Sequence, residues 1–313
     1  MLFSYFIKRV LSVIPTILSV TVVIFVILRL IPGDPVIIMI GGFTTWEEIE
    51  AARKLLGLDQ PIYIQYLLYL GRLLKGDWGY SLETGVPGGD PVLPLVIRRF
   101  SATLQLAVLS IILASAIGIV LGILSATHRG RIDKIFRTIS LLGFSIPIFW
   151  VGIIFIIVFS LHLRLFPSMG IGGPEHLVLP TLTLTTYLFG MISRVTRAAS
   201  LDVMHQDFIL TAQAKGLKKS RILINHILRN SLIPIVTVIT LQFGSLIGGA
   251  VVTETVFSYP GLGLLIVQGL FRRDYPLVQG GILLIAIVMT LSVLVSDILY
   301  AYLDPRVRYA KHE

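Results

Sequence analysis

The sequence of 313 residues contains no cysteine and little charge. Without cysteine, the chain cannot form a disulfide, a thiolate zinc site, an iron–sulfur cluster or a cysteine nucleophile. Only 14% of the residues are charged, against roughly 25% in a typical soluble domain. The mean hydropathy of +0.88 points the same way. Both values indicate a protein that lies largely within a lipid bilayer.

Six long stretches of the sequence contain no Asp, Glu, Lys or Arg. About 20 apolar residues in a helix span the ~30 Å hydrocarbon core of a membrane. The first stretch follows Lys8 and Arg9, but it is too long for the apolar core of a signal peptide and predicts an uncleaved anchor. The fourth has only 17 residues. The stretches predict an all-α integral membrane protein with six transmembrane helices, at Val10–Leu28, Phe100–Thr127, Thr138–Leu163, Leu177–Ser193, Asn230–Thr253 and Tyr275–Ser296.

Lys and Arg are unevenly distributed between the two sides of this arrangement. With the N-terminus in the cytoplasm, the four inner segments hold 16 of the 26 basic residues, at 1–9, 128–137, 194–229 and 297–313. Cytoplasmic segments of membrane proteins carry such an excess, so both termini are predicted to be cytoplasmic. Since these basic residues lie in short loops beside the bilayer, we expect no nucleic-acid partner.

The predicted spans divide the chain into three parts. They are an N-terminal anchor with the first helix, an outer region, and a five-helix core, at residues 1–31, 32–99 and 100–313. The core includes a long cytoplasmic loop at 194–231. The outer region predicts two short helices, TTWEEIEAARKLLGLDQP, with a cap at Thr44 or Thr45 and an end at Gly57, and IYIQYLLYLGRLLKGDWGYS. Their apolar positions fit packing on the chain's own outer surface or contact with an extracytoplasmic partner.

Proline and glycine fall within several of the predicted spans. Pro147, Pro180 and the pair Gly248–Gly249 would each weaken a regular helix. Breaks of this kind occur where neighbouring helices or water satisfy the freed backbone groups. They fit close helix packing through small residues and helices that line a path equally well.

The spans contain none of the groupings typical of an intramembrane enzyme or an ion-driven carrier. The six His lie at span ends or in connections and H-E-x-x-H does not occur, so we expect no catalytic residue and no metal site. Ion-coupled carriers place charged residues in their spans, and these spans have none. A self-contained carrier stays open as the alternative of a different class. G-x-x-x-x-G-K-[ST] is also absent, so ATP and Mg²⁺ would bind to another subunit.

The largest cytoplasmic feature is a basic segment, LTAQAKGLKKSRILINHILRNSLIP, at Leu210–Pro234. The chain up to this segment has apolar residues at positions 201, 204, 208 and 212, which predicts one helix that ends at Gly216. LKKSRILINHILRN then predicts a second helix that continues into the fifth span. A subunit that supplied energy from the cytoplasm would have to act on this segment, because no other inner segment is as large.

The basic segment resembles the cytoplasmic EAA loop of ABC importer permeases, whose pattern is Glu-Ala-Ala, three residues, Gly, nine residues, then Ile-x-Leu-Pro. It keeps Ala212, Gly216 and Leu228, and it departs at Leu210, Thr211, His226 and Arg229. The departures are those of the dipeptide, oligopeptide and nickel permeases. Further pieces resemble the "B"-type subunit of that subfamily over nearly the whole chain: RLIPGDP at 29–35, LGLDQPIYIQY at 56–66, GDWGYS at 76–81, FPSMGIGG at 166–173, ETVFSYPGLG at 254–263 and RDYPLVQG at 273–280.

The resemblance implies a fold like that of type I ABC importers, in the cell membrane of a prokaryote. It implies a complex with a second homologous permease, two ATPase subunits that hold ATP and Mg²⁺, and an extracytoplasmic solute-binding protein. This chain would bind no cofactor itself. In such families the loop docks in a groove of the ATPase subunit, which implies a coupling role for Leu210, Thr211, Ala212, Gln213, Ala214, Lys215, Gly216, Leu217, Lys218, Lys219 and Arg221.

The residue types in the loop suit that role. Ala212, Ala214 and Gly216 would keep it thin enough to enter a groove. Its Lys and Arg side chains would pair with carboxylates of the docked subunit or lie on anionic lipid head groups.

Peptides delivered by the binding protein are the solute that the resemblance implies. Nickel chelates, glutathione and oligosaccharides are carried by relatives of the same architecture and stay open. Four polar residues in or near the fifth span are candidates for lining the path, although hydrogen bonding between helices would explain them equally well: Gln242, Ser245, Thr253 and Glu254.

Overall fold

The computed structural model describes residues 2–30, 45–55, 59–81, 89–128 and 130–303. Among these residues, β1 (Tyr80–Ser81) and β2 (Asp90–Pro91) form the only sheet, an antiparallel pair. Two stretches are π-helical, Ile156–His162 and Ile222–Leu228. The helices are α1 (Leu2–Leu30), α2 (Trp46–Leu55), α3 (Ile62–Leu74), α4 (Val92–Thr127), α5 (Arg131–Ser145), α6 (Ile148–His162), α7 (Glu175–Met204), α8 (Asp207–Ala214), α9 (Lys219–Val256), α10 (Leu262–Phe271) and α11 (Tyr275–Leu303).

Five of these helices are long and apolar enough to cross a membrane: α1, α4, α7, α9 and α11. They contain the first, second, fourth, fifth and sixth predicted spans. The fourth span is much longer than its charge-free stretch, because α7 continues to Met204 and has 30 residues. The chain is therefore an all-α, multi-pass membrane protein.

The third predicted span is bent, at the proline that the sequence marks as a helix breaker. It consists of α5 and α6, which are bent by 100° relative to each other. The bend lies at Pro147, and Ile146 before it has the extended values φ −79° and ψ 130°. Proline imposes this conformation because its ring clashes with a helical preceding residue. Counted as one bent span, the pair brings the membrane crossings to six.

The other predicted helix breakers do not break their helices. Pro180 lies in the second turn of α7, and Gly248–Gly249 lies within the 38 continuous residues of α9. The backbone donor that a proline lacks matters least near the start of a helix, where few carbonyls precede it. A Cβ atom on Gly248 would lie 3.5 Å from the sulfur of Met289, which fits helix packing, whereas Gly249 is exposed and a Cβ there would meet nothing within 4 Å.

The centre of the fold is the close contact between α4 and α7. A Cβ atom on Gly122 would lie 2.5 Å from Cβ of Thr196 and 2.7 Å from the carbonyl oxygen of Ser193. Only glycine allows the two backbones to come so close, as is typical of packing between membrane helices. Leu188 and Ile192 of α7 are buried in the same core.

The outer region packs on the chain itself through α3 and α1. The Arg29 guanidinium donates to Oε1 of Gln65 at 2.8 and 3.0 Å, and the hydroxyls of Thr21 and Tyr66 are 2.9 Å apart. The ring of Phe25 meets Tyr66 edge-on at 5.2 Å. The second short outer helix is thus held on the chain's own surface. The helix ends predicted at Thr44 and Gly57, most of RLIPGDP and the C-terminal residues 304–313 lie outside the described residues.

Candidate coupling and translocation sites

The cytoplasmic elbow, defined here as residues 205–221, joins α7 to α9 through the short helix α8. α7 ends at Met204 and Gln206 is extended, with φ −86° and ψ 147°. Asp207 then opens α8 with a negative charge in its first turn, which suits the helix dipole. The prediction of one uninterrupted helix up to Gly216 is therefore wrong. Apolar spacing could not reveal the interruption, because Val203, before it, and Ile209, after it, are buried in the same cluster.

Gly216 ends α8, as predicted. Its φ of +71° lies in the left-handed region, and its N–H donates to the carbonyl of Gln213 at 2.9 Å. The N–H of Leu217 reaches back to the carbonyl of Ala212 at 3.3 Å, which completes a Schellman-type cap. A Cβ atom at Gly216 would meet nothing within 4 Å. The backbone conformation, and not a lack of space, therefore favours glycine here.

One face of α8 is buried against the chain itself. Ile209 and Ala212 pack with Val203, Ile222 and Ile227. Ala212, which is 5% exposed, cannot contribute to an outer docking surface, so the prediction that it thins that surface is wrong. Leu210, Thr211, Gln213, Ala214 and Gly216 are exposed.

The elbow carries exposed positive charge. Lys215, Lys218, Lys219 and Arg221 are all exposed, and none forms an ion pair within the part of the chain that the structure describes. Leu217 is half-buried, whereas the apolar side chain of Leu210 is 62% exposed. The elbow thus offers cations together with an apolar side chain to whatever lies beneath it.

The candidate path residues fall into two groups, and the first lies on an open face of α9. Leu241, Ser245, Gly249 and Val252 are exposed and recur every three or four residues, so they share one face of the helix. Ser245 lies on this face, and the half-buried Gln242 lies beside it. Both residues are therefore placed where a path along α9 would pass.

The second group, Thr253 and Glu254, is buried. Thr253 is 1% exposed and Glu254 is 0% exposed. Neither side chain reaches an open surface, so the prediction that they line the path is wrong for this structure. Glu254 was also expected just past the fifth span, whereas it lies within the last turn of α9.

Glu254 belongs to a hydrogen-bonded group that we call the outer lock, made of Glu254, Thr103 and the first residues of α10. The Thr103 hydroxyl donates to Oε1 of Glu254 at 2.5 Å and accepts the N–H of Leu262 at 2.8 Å. Oε2 of Glu254 accepts the N–H groups of Gly263 and Leu264 at 2.7 and 3.1 Å. The carboxyl group thereby satisfies donors that the start of α10 would otherwise leave unpaired.

Tyr259 closes the turn between α9 and the lock. Its N–H donates to the carbonyl of Glu254 at 2.8 Å. Burial, together with the nearby Glu254 carboxyl, raises the pKa of the Tyr259 hydroxyl. Sequence reasoning missed the lock because Thr103 is 151 residues away from Glu254. The signal available was an acid in an apolar setting just before the glycines of SYPGLG.

A second polar group that the sequence did not reveal joins α4, α5 and α7 near their cytoplasmic ends. Nε and Nη2 of Arg197 donate to the two carboxylate oxygens of Asp133 at 3.0 and 3.1 Å. The Ser125 hydroxyl donates to the same carboxylate at 2.6 Å, and Nε of Arg137 lies 3.4 Å from it. Asp133 thus ties three helices together through one carboxylate.

Comparison with known proteins identifies the family to which this chain belongs. The profile described as "Binding-protein-dependent transport system inner membrane component" matches residues 118–309. The profile of the N-terminal part of such membrane components matches residues 2–107. The chain belongs to this family.

Curated relatives match over nearly the whole chain. The dipeptide transport system permease protein DppB of Escherichia coli (strain K12) is 39% identical, over 98% of this chain and 99% of the relative. The glutathione transport system permease protein GsiC of the same strain is 40% identical over the same shares. The chain is therefore a permease of an ATP-driven importer in the peptide family, and such permeases work with ATPase and binding-protein components.

Solved structures share the fold at lower sequence identity. A chain of the MetNI methionine ABC transporter in inward-facing conformations superposes with a TM-score of 0.57 at 22% identity, over 67% of this permease and 96% of that chain. An amino acid ABC transporter with bound histidines gives 0.52 at 13% identity, over 68% and 94%. These likenesses support the type I importer fold that the sequence predicted.

Proposed function

We propose that this permease forms half of the path for short peptides in a prokaryotic plasma-membrane importer. The observation that carries the proposal is its similarity, over almost the full length of each chain, to permeases named for a dipeptide and for glutathione. Both solutes are small and peptide-like. The other half of the path comes from a second permease of the same family, and a binding protein outside the membrane delivers the solute.

Energy enters this permease at the cytoplasmic elbow. No nucleotide-binding loop occurs in the sequence, so ATP and Mg²⁺ bind on two partner ATPase subunits and this chain is not catalytic. The exposed side chain of Leu210 and the unpaired cations after Gly216 fit a groove with an apolar floor and acidic rims. When the ATPase subunits close, they move the elbow, and α9 tilts with it because helix and elbow are continuous.

Bulk at Gly216 tests this role. In proteoliposomes that contain the assembled importer, Gly216→Trp should reduce dipeptide uptake and solute-stimulated ATP hydrolysis by about tenfold or more. The reason is that a bulky side chain would disrupt the centre of the contact between the elbow and the ATPase subunit. Assembly in the membrane should persist, because a Cβ at this position meets no other atom within 4 Å. The matched control is Gly76→Trp. Gly76 has a φ of +78°, close to that of Gly216, and a Cβ there would also meet nothing within 4 Å, but it lies in the outer region.

Three outcomes would contradict the proposal. Full activity of Gly216→Trp would remove the elbow from energy coupling. Equal loss in Gly76→Trp would make the effect one of backbone strain alone. Uptake by the permeases without ATPase subunits would instead indicate a self-contained carrier.

A competition experiment in the same vesicles identifies the solute. The competitors are glutathione, a nickel chelate and an oligosaccharide, each compared with peptides, and failure of every peptide to compete would exclude peptide transport.

A further inference from the structure

A cavity lies between the cytoplasmic ends of α4, α5 and α7, away from both the elbow and the open face of α9. Its volume is about 540 Å³. Ser125 of its wall is two residues from the end of α4, and Lys134 of its wall is in the first turn of α5. The cavity therefore opens at the level where these helices leave the membrane, on the side that the charge distribution assigns to the cytoplasm.

The cavity wall carries an excess of positive charge. Lys134, Arg137, Arg194 and Arg197 all contribute to it. Asp133, the carboxylate next to these cations, is already engaged by Arg197 in two hydrogen bonds and by Arg137 at 3.4 Å. Within the described part of the chain, Lys134 forms no ion pair. Four cations thus share one carboxylate, which leaves the cavity attractive to an anion.

The orientation of the cations suits a ligand that enters from the side of α5. Arg194 lines the cavity, and its guanidinium lies 4.4 Å from the ring centre of Phe144, a contact that leaves the positive charge without a counter-ion. Hydroxyls of Ser140 and Ser193, 3.0 Å apart, also line the wall. An anion with several oxygens would find several charged donors there.

The rim of the cavity is apolar where Leu141 borders it, and this distinguishes a lipid from a free ion. Leu141 lines the cavity and is 52% exposed. The neighbouring outward side chains of α5 are also exposed and apolar: Ile132, Ile135, Ile139 and Leu142. A free phosphate gains nothing from such a rim, whereas a phospholipid has acyl chains directly beneath its phosphate.

We propose that this cavity binds the phosphate of an anionic phospholipid from the cytoplasmic leaflet. Lys134, Arg137 and Arg194 contact the phosphate, and the acyl chains lie along the exposed side of α5. Basic pockets between membrane helices on the cytoplasmic side are suited to such head groups. Because α7 leads directly into α8, the bound lipid braces the helix that carries the elbow.

The test titrates the delipidated full chain in detergent and counts bound molecules by native mass spectrometry. The probes are phosphatidylglycerol, phosphatidylcholine and inorganic phosphate. Each basic residue near an anionic lipid contributes a factor of about five in affinity, so Arg137→Gln should weaken phosphatidylglycerol about fivefold and Lys134→Gln with Arg137→Gln about thirtyfold. Both variants keep the two hydrogen bonds between Arg197 and Asp133 and lose only the 3.4 Å ion pair between the exposed Arg137 and Asp133, so their thermal midpoints should fall only slightly below that of the parent.

The matched control is Arg229→Gln, an exposed basic residue near the start of α9 that does not line the cavity. It should bind phosphatidylglycerol as the parent does. Leu141→Ser should weaken phosphatidylglycerol and leave inorganic phosphate unaffected. Equal binding of phosphatidylcholine, or unchanged binding in the double variant, would overturn the proposal. Inorganic phosphate that binds as tightly as the lipid, with no effect of Leu141→Ser, would make the cavity a site for a free anion instead.

Discussion

The two ends of α9 are built in opposite ways. At the outer end, the Glu254 carboxyl accepts three hydrogen bonds and has no exposed surface. At the cytoplasmic end, the cations of the elbow are exposed and have no ion pair within the described residues. A Cβ atom on Gly263 would collide with the backbone of Val251 at 2.4 Å, whereas one on Gly216 would meet nothing within 4 Å.

This difference indicates which end of α9 depends on contact with another molecule. The outer lock is complete within the chain, so its geometry is fixed by the fold. Within the described residues, the charges of the elbow form no ion pair and the side chain of Leu210 is exposed, as our proposal of a docked partner requires. α9 connects the elbow and the lock without a break, although it includes the π-helical stretch Ile222–Leu228, so a movement imposed at the elbow would be transmitted along one helix towards the lock.

The largest expected effect is at the lock, with Glu254→Ala. Leaving a buried donor unpaired costs about 1–3 kcal/mol, and three donors lose their acceptor here, so we expect a loss of about 3–5 kcal/mol in stability. Thermal unfolding of the purified permease measures it. Glu175→Ala, an exposed acid at the start of α7, should change stability by no more than about 0.5 kcal/mol. Equal shifts in the two variants would abolish the contrast between the ends of α9.

The same lock shows where sequence reasoning stops. The helices that cross the membrane follow from charge-free stretches, because each must present about 20 apolar residues to the hydrocarbon core, although the helix ends extend beyond those stretches. The end of α8 at Gly216 can be predicted from the sequence as well, since glycine is favoured where a helix ends in a residue with positive φ. The burial of Glu254 does not follow, because it depends on Thr103 and on the start of α10, which only tertiary packing brings together.

Proline shows a similar limit within single helices. Pro147 breaks its helix and Pro180 does not, although both lie in apolar stretches. Pro15 and Pro234 also lie inside unbroken helices, far from the helix start, so the position of a proline along its helix does not decide the outcome. Tertiary packing decides whether neighbouring groups satisfy the freed carbonyl, and the sequence does not show that packing. Ala212 was misplaced for a related reason, since small residues occur both at docking surfaces and in tight internal packing.

An intermediate effect comes from adding one methyl group at each end of α9. Gly263→Ala should cost about 1–3 kcal/mol, because overpacking against the Val251 backbone forces α10 away from α9. Gly216→Ala should cost only about 1 kcal/mol, from the left-handed conformation alone. Denaturation midpoints of the two variants, measured in the same detergent, show at which end of α9 the added methyl group lowers the stability more. A larger loss for Gly216→Ala would reverse the assignment of the rigid and the open end.

The smallest effect on stability is expected from Lys218→Gln combined with Lys219→Gln. Both side chains are exposed, so the unfolding free energy should change by less than about 0.5 kcal/mol. Exposed ion pairs contribute about 0.2–1 kcal/mol each, so loss of two should lower the affinity for the ATPase subunits about two- to thirtyfold, and raising the salt concentration should reduce the difference. Pull-down of the ATPase subunits at two salt concentrations measures the affinity and its dependence on salt, and thermal unfolding measures the stability. A drop in stability without a drop in affinity would place these lysines in the fold, and the elbow would then resemble the lock.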